Sequence, residues 1–156
     1  MEAELIKFLF KSKEYGYANQ DESSWIKEKD GSTTILYVSG DWRFNDNFFG
    51  GEPYGGRTIV FFKDKPYWMN VFYGSVKRDI QNVREIYSFL KKALLHPRKH
   101  FPLRGQATYR QDPWKYQSKV KGTIENFLLI EKIFLKNKEV YSAIFVGGLV
   151  DQRKED

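Results

Sequence analysis

The sequence contains no cysteine among its 156 residues. This absence excludes disulfides, thiolate chemistry and cysteine–zinc sites. There is also no run of about 18 apolar residues, which predicts no membrane-spanning helix and no membrane partner. The first ten residues, MEAELIKFLF, begin with acidic side chains and lack a small-residue cleavage site, so no signal peptide is predicted. We therefore expect a cytoplasmic protein with a single domain over residues 1–156.

The motifs of common cofactor sites are missing as well. The chain has no GxxxxGK[ST] loop, dinucleotide fingerprint, zinc pattern or serine-nucleophile motif. The glycine-rich segment from Gly50 to Gly56 precedes a predicted strand, whereas a phosphate site needs a helix N-terminus there. His96 and His100 are four residues apart, but Pro97 ends a helix between them and no acidic residue flanks them. We predict no cofactor and no metal.

What the chain does contain is a strong β-hairpin pattern from Arg57 to Val76. Two strand-favouring segments flank the short polar turn Lys63-Asp64-Lys65. On the return strand, Trp68, Asn70 and Phe72 face one way, and Tyr67, Met69, Val71 and Tyr73 face the other. Large apolar groups on both faces predict a central strand.

The hairpin pattern occurs a second time, in weaker form, from Ile130 to Leu149. Residues 37–51 align with 109–123 at a spacing of 72, and residues 54–76 align with 127–149 at a spacing of 73. Eight identical residues in 38 aligned positions, with one gap, favour a duplication over two unrelated hairpins. We place the first repeat at about 33–76 and the second at about 105–150.

Helical periodicity appears in two places. Apolar residues at helical spacing predict an N-terminal helix over 3–13, and a second helix over about 79–96 with Asp79 as its N-cap. The segment from Asn19 to Ser32 is polar and predicts a loop, in which Trp25-Ile26 is an anchor or a short strand. The expected fold class is α+β: duplicated antiparallel β-meander units form a curved sheet or a partly closed barrel, with the N-terminal helix and the inter-repeat helix packed on it.

Positive charge is concentrated in the second half of the chain. The formal net charge of +6 falls entirely within residues 79–156, and the stretch from Lys91 to Lys121 holds Asp112 as its single acidic residue. Such a stretch is typical either of a solvated surface or of a nucleic-acid interface. The alternative function is therefore nucleic-acid binding, and its candidate residues are Lys91, Lys92, Arg98, Lys99, Arg104 and Arg110.

Some polar residues of the first repeat align with smaller, uncharged residues in the second repeat, and this difference indicates a ligand site in the first. Asp46 aligns with Ser118, and Asn70 aligns with Ala143. We predict a pocket in the first repeat, since such pockets combine aromatic walls with a few polar anchors. The walls would be Trp42, Phe44, Trp68 and Tyr73, and the anchors Arg43, Asp46 and Asn70. The alternative is that Asp46 and Asn70 bond local backbone or lie at a sheet rim.

A third hypothesis is a hydrolase or isomerase that uses Asp41, Asp46 and Arg43. Asp41 and Asp46 are an odd number of residues apart, so a regular strand points them to opposite faces. Paired carboxylates for acid–base work need a shared site. The sequence therefore favours a non-enzymatic domain that binds a small ligand or a protein, and we expect a homodimer.

The pattern GDWRFNDNFFGG…KPYWMNVFYG, followed after a helix by a copy ending VYSAIFVGGLV, resembles an uncharacterised family of bacterial and archaeal domains of unknown function. The resemblance covers about Leu5 to Val150, and its most specific parts are Gly40–Gly51 and Lys65–Gly74. Such domains stand alone or follow an Xre-type helix-turn-helix. The resemblance implies no activity, but the fusion implies a sensor or effector-binding role.

Overall fold

The computed structural model describes residues 1–15 and 24–155. These residues form two α-helices, α1 (Glu2–Lys13) and α2 (Val83–Leu94), and nine strands: β1 (Ile26–Lys27), β2 (Thr33–Ser39), β3 (Trp42–Gly50), β4 (Tyr54–Phe62), β5 (Lys65–Val76), β6 (Thr108–Gln111), β7 (Trp114–Thr123), β8 (Asn126–Leu135) and β9 (Lys138–Leu149). Residues 19–23 of the predicted loop lie outside the described residues. No described helix is long and apolar enough to span a bilayer.

All nine strands belong to one sheet with the order β1-β2-β3-β4-β5-β9-β8-β7-β6. Every neighbouring pair is antiparallel. The two helices and the antiparallel sheet confirm the α+β class. The sheet is open, with β1 and β6 at its edges, and therefore does not close into a barrel. Each half is a meander of consecutive strands, and the two meanders meet where β5 pairs with β9.

The central position predicted for the hairpin's return strand is confirmed, because β5 pairs with β4 on one side and β9 on the other. The β4–β5 turn has positive φ at Lys63 and Asp64, and the β8–β9 turn has positive φ at Lys136 and Asn137. Positive φ at both central residues is the type I′ geometry that matches strand twist. A register shift follows Val60 in β4, and an equivalent one lies 73 residues later in β8.

Each meander carries one helix on the same face of the sheet, which we call the inner face. In α1, Phe8 stacks on Trp42 with ring centroids 5.6 Å apart. In α2, Phe89 stacks on Trp114 at 5.5 Å. The side chains that these helices bury are spaced three and four residues apart, so each helix presents one apolar stripe to the sheet. The opposite face, the outer face, has neither helix over it.

Helix α2 begins later than the sequence predicts. Its N-cap is Asn82, and the prediction of Asp79 as N-cap is wrong. The Ile80 amide donates to the Lys77 carbonyl oxygen in a turn that precedes the helix. Asp79 instead pairs with Lys138, with Nζ and Oδ2 3.0 Å apart. The Asp79 side chain therefore contacts the start of β9 and does not cap the helix.

Candidate functional site

A cavity of about 390 Å³ lies between the inner face of β2–β5 and the two helices. Its volume is within the range of small-molecule sites. Leu9 of α1 and Leu90 and Leu94 of α2 supply aliphatic walls, and the rings of Phe44, Phe48 and Phe72 project from the sheet. Two exposed lysines, Lys27 and Lys91, also line it.

Three polar side chains form a row across the sheet at the cavity. Asp46 of β3 pairs in register with Thr58 of β4, which pairs with Asn70 of β5. All three are buried, at 7%, 6% and 1% exposure. Residues directly opposite each other on neighbouring strands share a face, so this polar row points into the cavity as a unit.

Asn70 is the unusual member of the row. Neither its amide nitrogen nor its amide oxygen has a hydrogen-bond partner among the described residues. Leaving a buried polar group unpaired costs about 1–3 kcal/mol. No described backbone group bonds the Asn70 side chain, so the alternative of a local backbone contact does not hold for the described residues. The Asn70 amide presents a donor and an acceptor at the cavity. Trp25 also lines the cavity, and its buried indole nitrogen has no hydrogen-bond partner in residues 1–15 and 24–155.

Asp46 has one hydrogen bond, which Thr58 Oγ1 donates to its Oδ1 over 2.9 Å. Burial raises the pKa of Asp46 from 3.8 to about 6, although the Thr58 hydrogen bond and the Arg104 charge act in the opposite direction. Burial penalises the charged form of the carboxyl group because it loses hydration. Burial thus makes the carboxyl group of Asp46 easier to protonate than an exposed aspartate.

Lys13, the last residue of α1, lies on the opposite wall of the cavity. Its Nζ donates to the backbone oxygen of Arg104. Burial and the Arg104 charge lower the pKa of Lys13 from 10.5 to about 7, against the attraction of Glu131. The described residues contain no ion pair between Lys13 and Asp46. Burial therefore shifts the pKa of each group toward its neutral form without an ion pair between them to oppose the shift.

A buried ion pair fixes the wall behind Lys13. Arg104 Nη2 lies 2.6 Å from Oε1 of Glu131, and Arg104 Nε lies 3.1 Å from Oε2. Tyr116 and Tyr141 donate their hydroxyls to the same carboxylate over 2.7 and 2.9 Å. Burial and the Glu131 charge raise the pKa of both tyrosines well above the ordinary value. This network ties the segment after α2 to β8 and holds Arg104 in place.

The Arg104–Glu131 network lies in the second half of the chain, at the position equivalent to the Asp46–Thr58–Asn70 row of the first half. Ser118, Glu131 and Ala143 lie side by side on β7, β8 and β9, at spacings of 72 and 73 from the row in the first half. Ser118 Oγ donates to the Gln106 carbonyl oxygen over 2.8 Å. The second row is therefore satisfied by the chain itself, whereas Asn70 in the first row is not.

The structure brings together four of the seven predicted ligand-binding residues. Phe44, Asp46, Trp68 and Asn70 line the cavity. The other three lie elsewhere. Trp42 packs against α1 through Phe8. Arg43 is on the outer face, with its guanidinium 3.9 Å from the centroid of the Phe61 ring.

Tyr73 is also on the outer face and is 59% exposed. Strand alternation alone puts Arg43 and Tyr73 opposite Asp46 and Asn70, so their inclusion in one pocket conflicts with the geometry of β3 and β5.

The predicted nucleic-acid residues do not share one surface. Lys91 and Lys92 are exposed on α2, over the inner face, and Lys99 is exposed in the following segment. Arg110 is exposed on β6. Arg98 donates to the Ser118 carbonyl oxygen over 2.7 Å.

Arg104 is 8% exposed and paired with Glu131, so it is not available to a phosphate backbone.

The carboxylates of the enzyme hypothesis are separated too. Asp41 is exposed in the β2–β3 turn, while Asp46 is buried in the cavity. Within the described residues, no group of three or more His, Asp or Glu side chains could hold a metal.

Sequence reasoning missed Lys13, Thr58 and the Arg104–Glu131 pair. One signal was present: Glu131 interrupts the apolar run FLLIEKIFL of β8 at an inward position. A carboxylate there needs a buried partner. The partner itself, 27 residues away in a loop, has no local pattern that identifies it.

These features define an open α+β sheet domain with a ligand-sized, partly polar cavity on its helix-covered face. Residues 46–150 match the family described as Domain of unknown function (DUF5680). The match spans about two thirds of the chain, so the chain belongs to this family, and the expected kinship with an uncharacterised domain family is confirmed. No curated protein and no solved structure matches the chain.

Proposed function

We propose that this chain is a small-molecule-binding domain whose ligand fills the cavity beside the Asp46–Thr58–Asn70 row. The observation that carries the proposal is Asn70, which is 1% exposed and lacks a partner for both amide atoms among the described residues. Buried polar groups in native proteins are paired with protein, water or ligand. A ligand with a neighbouring donor and acceptor would pair with both atoms.

The chemistry of the cavity narrows the ligand class. Burial shifts the pKa of Asp46 up to about 6 and that of Lys13 down to about 7, so the interior penalises both signs of charge. The part of the ligand that enters is therefore neutral. Asp46 would accept an N–H or O–H from it, and the Phe44, Phe48 and Phe72 rings would pack on an apolar or planar body. An amide-bearing or lactam-bearing molecule meets these requirements.

Native mass spectrometry of gently purified protein tests the proposal. We expect a copurifying small molecule in the wild-type protein that is lost in Asn70→Ala. The matched control is Asn45→Ala, since Asn45 lies on β3 but on the outer face, in register with Ile59. A small-molecule screen by thermal shift extends the test to ligands that dissociate during purification.

Two outcomes would refute the proposal. One is a wild-type protein without a bound molecule and without any screened compound whose thermal shift depends on Asn70. The other is a bound molecule that Asn70→Ala and Asn45→Ala retain equally.

We propose further that the two halves arose by duplication of a helix-plus-meander unit. The equivalent type I′ turns, the equivalent register shifts and the matching Phe8–Trp42 and Phe89–Trp114 contacts support this origin.

A cytoplasmic location, a prokaryotic source and a regulatory role beside an Xre-type module remain our expectations. A reporter assay that compares cells with and without this chain would test the regulatory role.

A further inference from the structure

The outer face of the sheet carries a continuous apolar patch. Val71 and Tyr73 of β5, Ile144 and Val146 of β9, and Leu128 of β8 are 37–59% exposed. They are direct neighbours in the ladders: Val71 is opposite Val146, Tyr73 is opposite Ile144, and Leu128 is opposite Val146. We call these five residues the outer patch.

Scattered exposed apolar residues need no explanation, but a contiguous group marks an interaction surface. The outer patch lies on the adjacent strands β5, β9 and β8, and the flanking positions Met69, Ile59 and Ile130 are also apolar and partly buried. The patch therefore sits at the middle of a broad face and is not confined to an edge. This observation is independent of the cavity, which lies on the inner face.

We propose that a second copy of this chain covers the outer patch, so that two sheets pack face to face. Strands about 4.8 Å apart, with about 3.4 Å per residue, give the outer face of β3, β4, β5, β9, β8 and β7 a footprint of roughly 800 Å². About 800 Å² per partner is the size of a standard protein interface. A dimer that uses the whole of this face, and not the outer patch alone, would reach that size.

The arrangement of the strands suits a twofold dimer. Four of the five patch residues lie on the antiparallel pair β5–β9, where a half-turn exchanges Val71 with Ile144 and Tyr73 with Val146. An isologous interface requires one patch to be complementary to itself. Two such faces can pack about 10 Å apart with their side chains interdigitated, as in β-sandwiches.

Charge at the margin of the patch gives the proposal a distinctive salt dependence. Arg57 lies beside Val71, and Lys121 lies beside Leu128, at the two ends of one row. In a dimer these cations approach cations of the other copy, although long side chains can turn their charged ends toward water. Added salt screens this repulsion and should tighten the dimer. A polyanionic partner would show the opposite dependence.

Sedimentation velocity and light scattering at about 0.05 and 0.5 M salt provide the test. We expect a mass of twice 18.5 kDa for the wild-type protein, with tighter association at high salt. Val146→Lys should give the monomer mass. Leu95→Lys is the control, since Leu95 is 56% exposed at the end of α2 on the other side of the sheet, and it should remain dimeric. Circular dichroism melts establish that both variants are folded.

The proposal is overturned if the wild-type chain stays monomeric at both salt concentrations up to about 0.1 mM. It is equally overturned if a folded Val146→Lys variant dimerises as well as the wild type. A monomer that binds a single-stranded oligonucleotide or phosphatidylserine vesicles, with weaker binding at high salt, would assign the outer patch to a polyanion instead.

Discussion

Replacing Asp46 by Asn should stabilise the protein at neutral pH and leave its stability unchanged in acid. Burial raises the pKa of Asp46 from 3.8 to about 6 in the folded chain. Below pH 3.8 the carboxyl is protonated in both states, so it contributes no penalty. As pH rises from 3.8 to 6, the folded state binds more protons than the unfolded state, and stability falls. Two pKa units correspond to about 3 kcal/mol at pH 7.

The variant keeps the site otherwise intact, because the Asn oxygen can still accept the Thr58 hydroxyl over a similar distance. Urea unfolding at several pH values between about 4 and 7.5 measures the difference between variant and wild type. We expect that difference to grow from near zero to about 3 kcal/mol. Asp64→Asn is the control, since the Asp64 side chain is 94% exposed. A difference for Asp46→Asn that does not change with pH would refute the reasoning.

Three further predictions concern the rest of the fold. Lys13→Met should stabilise the protein by about 3–5 kcal/mol at pH 6 and by less at pH 9 in urea unfolding, because burial lowers the pKa of Lys13 to about 7 and penalises its charge below that pH. Glu131→Gln should cost about 3–5 kcal/mol in the same assay, since it removes the carboxylate charge that faces the buried guanidinium of Arg104. Glu139→Gln should cost at most about 1 kcal/mol, since the two lysines that pair with Glu139 are part-exposed. Gly147→Ala should lower the melting temperature sharply, because its Cβ would lie 2.0 Å from a backbone oxygen on β5, while Gly51→Ala meets nothing and should be neutral.

Much of the fold follows from local patterns. Period-two alternation in β5 and the polar Lys63-Asp64 turn predict the central hairpin, because both depend on neighbours in the chain. The repeat spacing then predicts a second meander. Apolar spacing predicts α1 within one residue of its observed start. The predicted start of α2 is wrong: Asp79 precedes the helix and pairs with Lys138 at the start of β9, 59 residues away, a contact that local capping preferences do not contain.

The candidate site was predictable only in part, for a similar reason. Asp46 and Asn70 were identified because the second repeat has bland residues at their positions, and strand alternation places them on one face. Arg43 and Tyr73 fail the same alternation rule and lie outside. The cationic neighbours of Arg104 in the sequence predict that it lies on a basic surface. Its burial depends on Glu131, and a partner that distant leaves no local signal.

The comparison of the two halves yields one more prediction. In the second half, the position equivalent to Asn70 is Ala143, and the segment after α2 supplies Arg104 to the neighbouring carboxylate. Asn70→Ala would give the first half the same residue and remove two unpartnered polar atoms. Because an unpaired buried amide costs about 1–3 kcal/mol, the ligand-free variant should be as stable as the wild type or more stable.

The same substitution removes the donor and the acceptor that a ligand would use. The ligand-free protein should therefore gain or keep melting temperature in Asn70→Ala while ligand binding is lost. A purely structural asparagine would behave differently, since its replacement would cost about 1 kcal/mol or more and leave nothing to bind. Differential scanning calorimetry of ligand-free protein separates the two cases. A variant that keeps or gains stability but loses ligand binding is the result expected if the Asn70 amide serves a ligand.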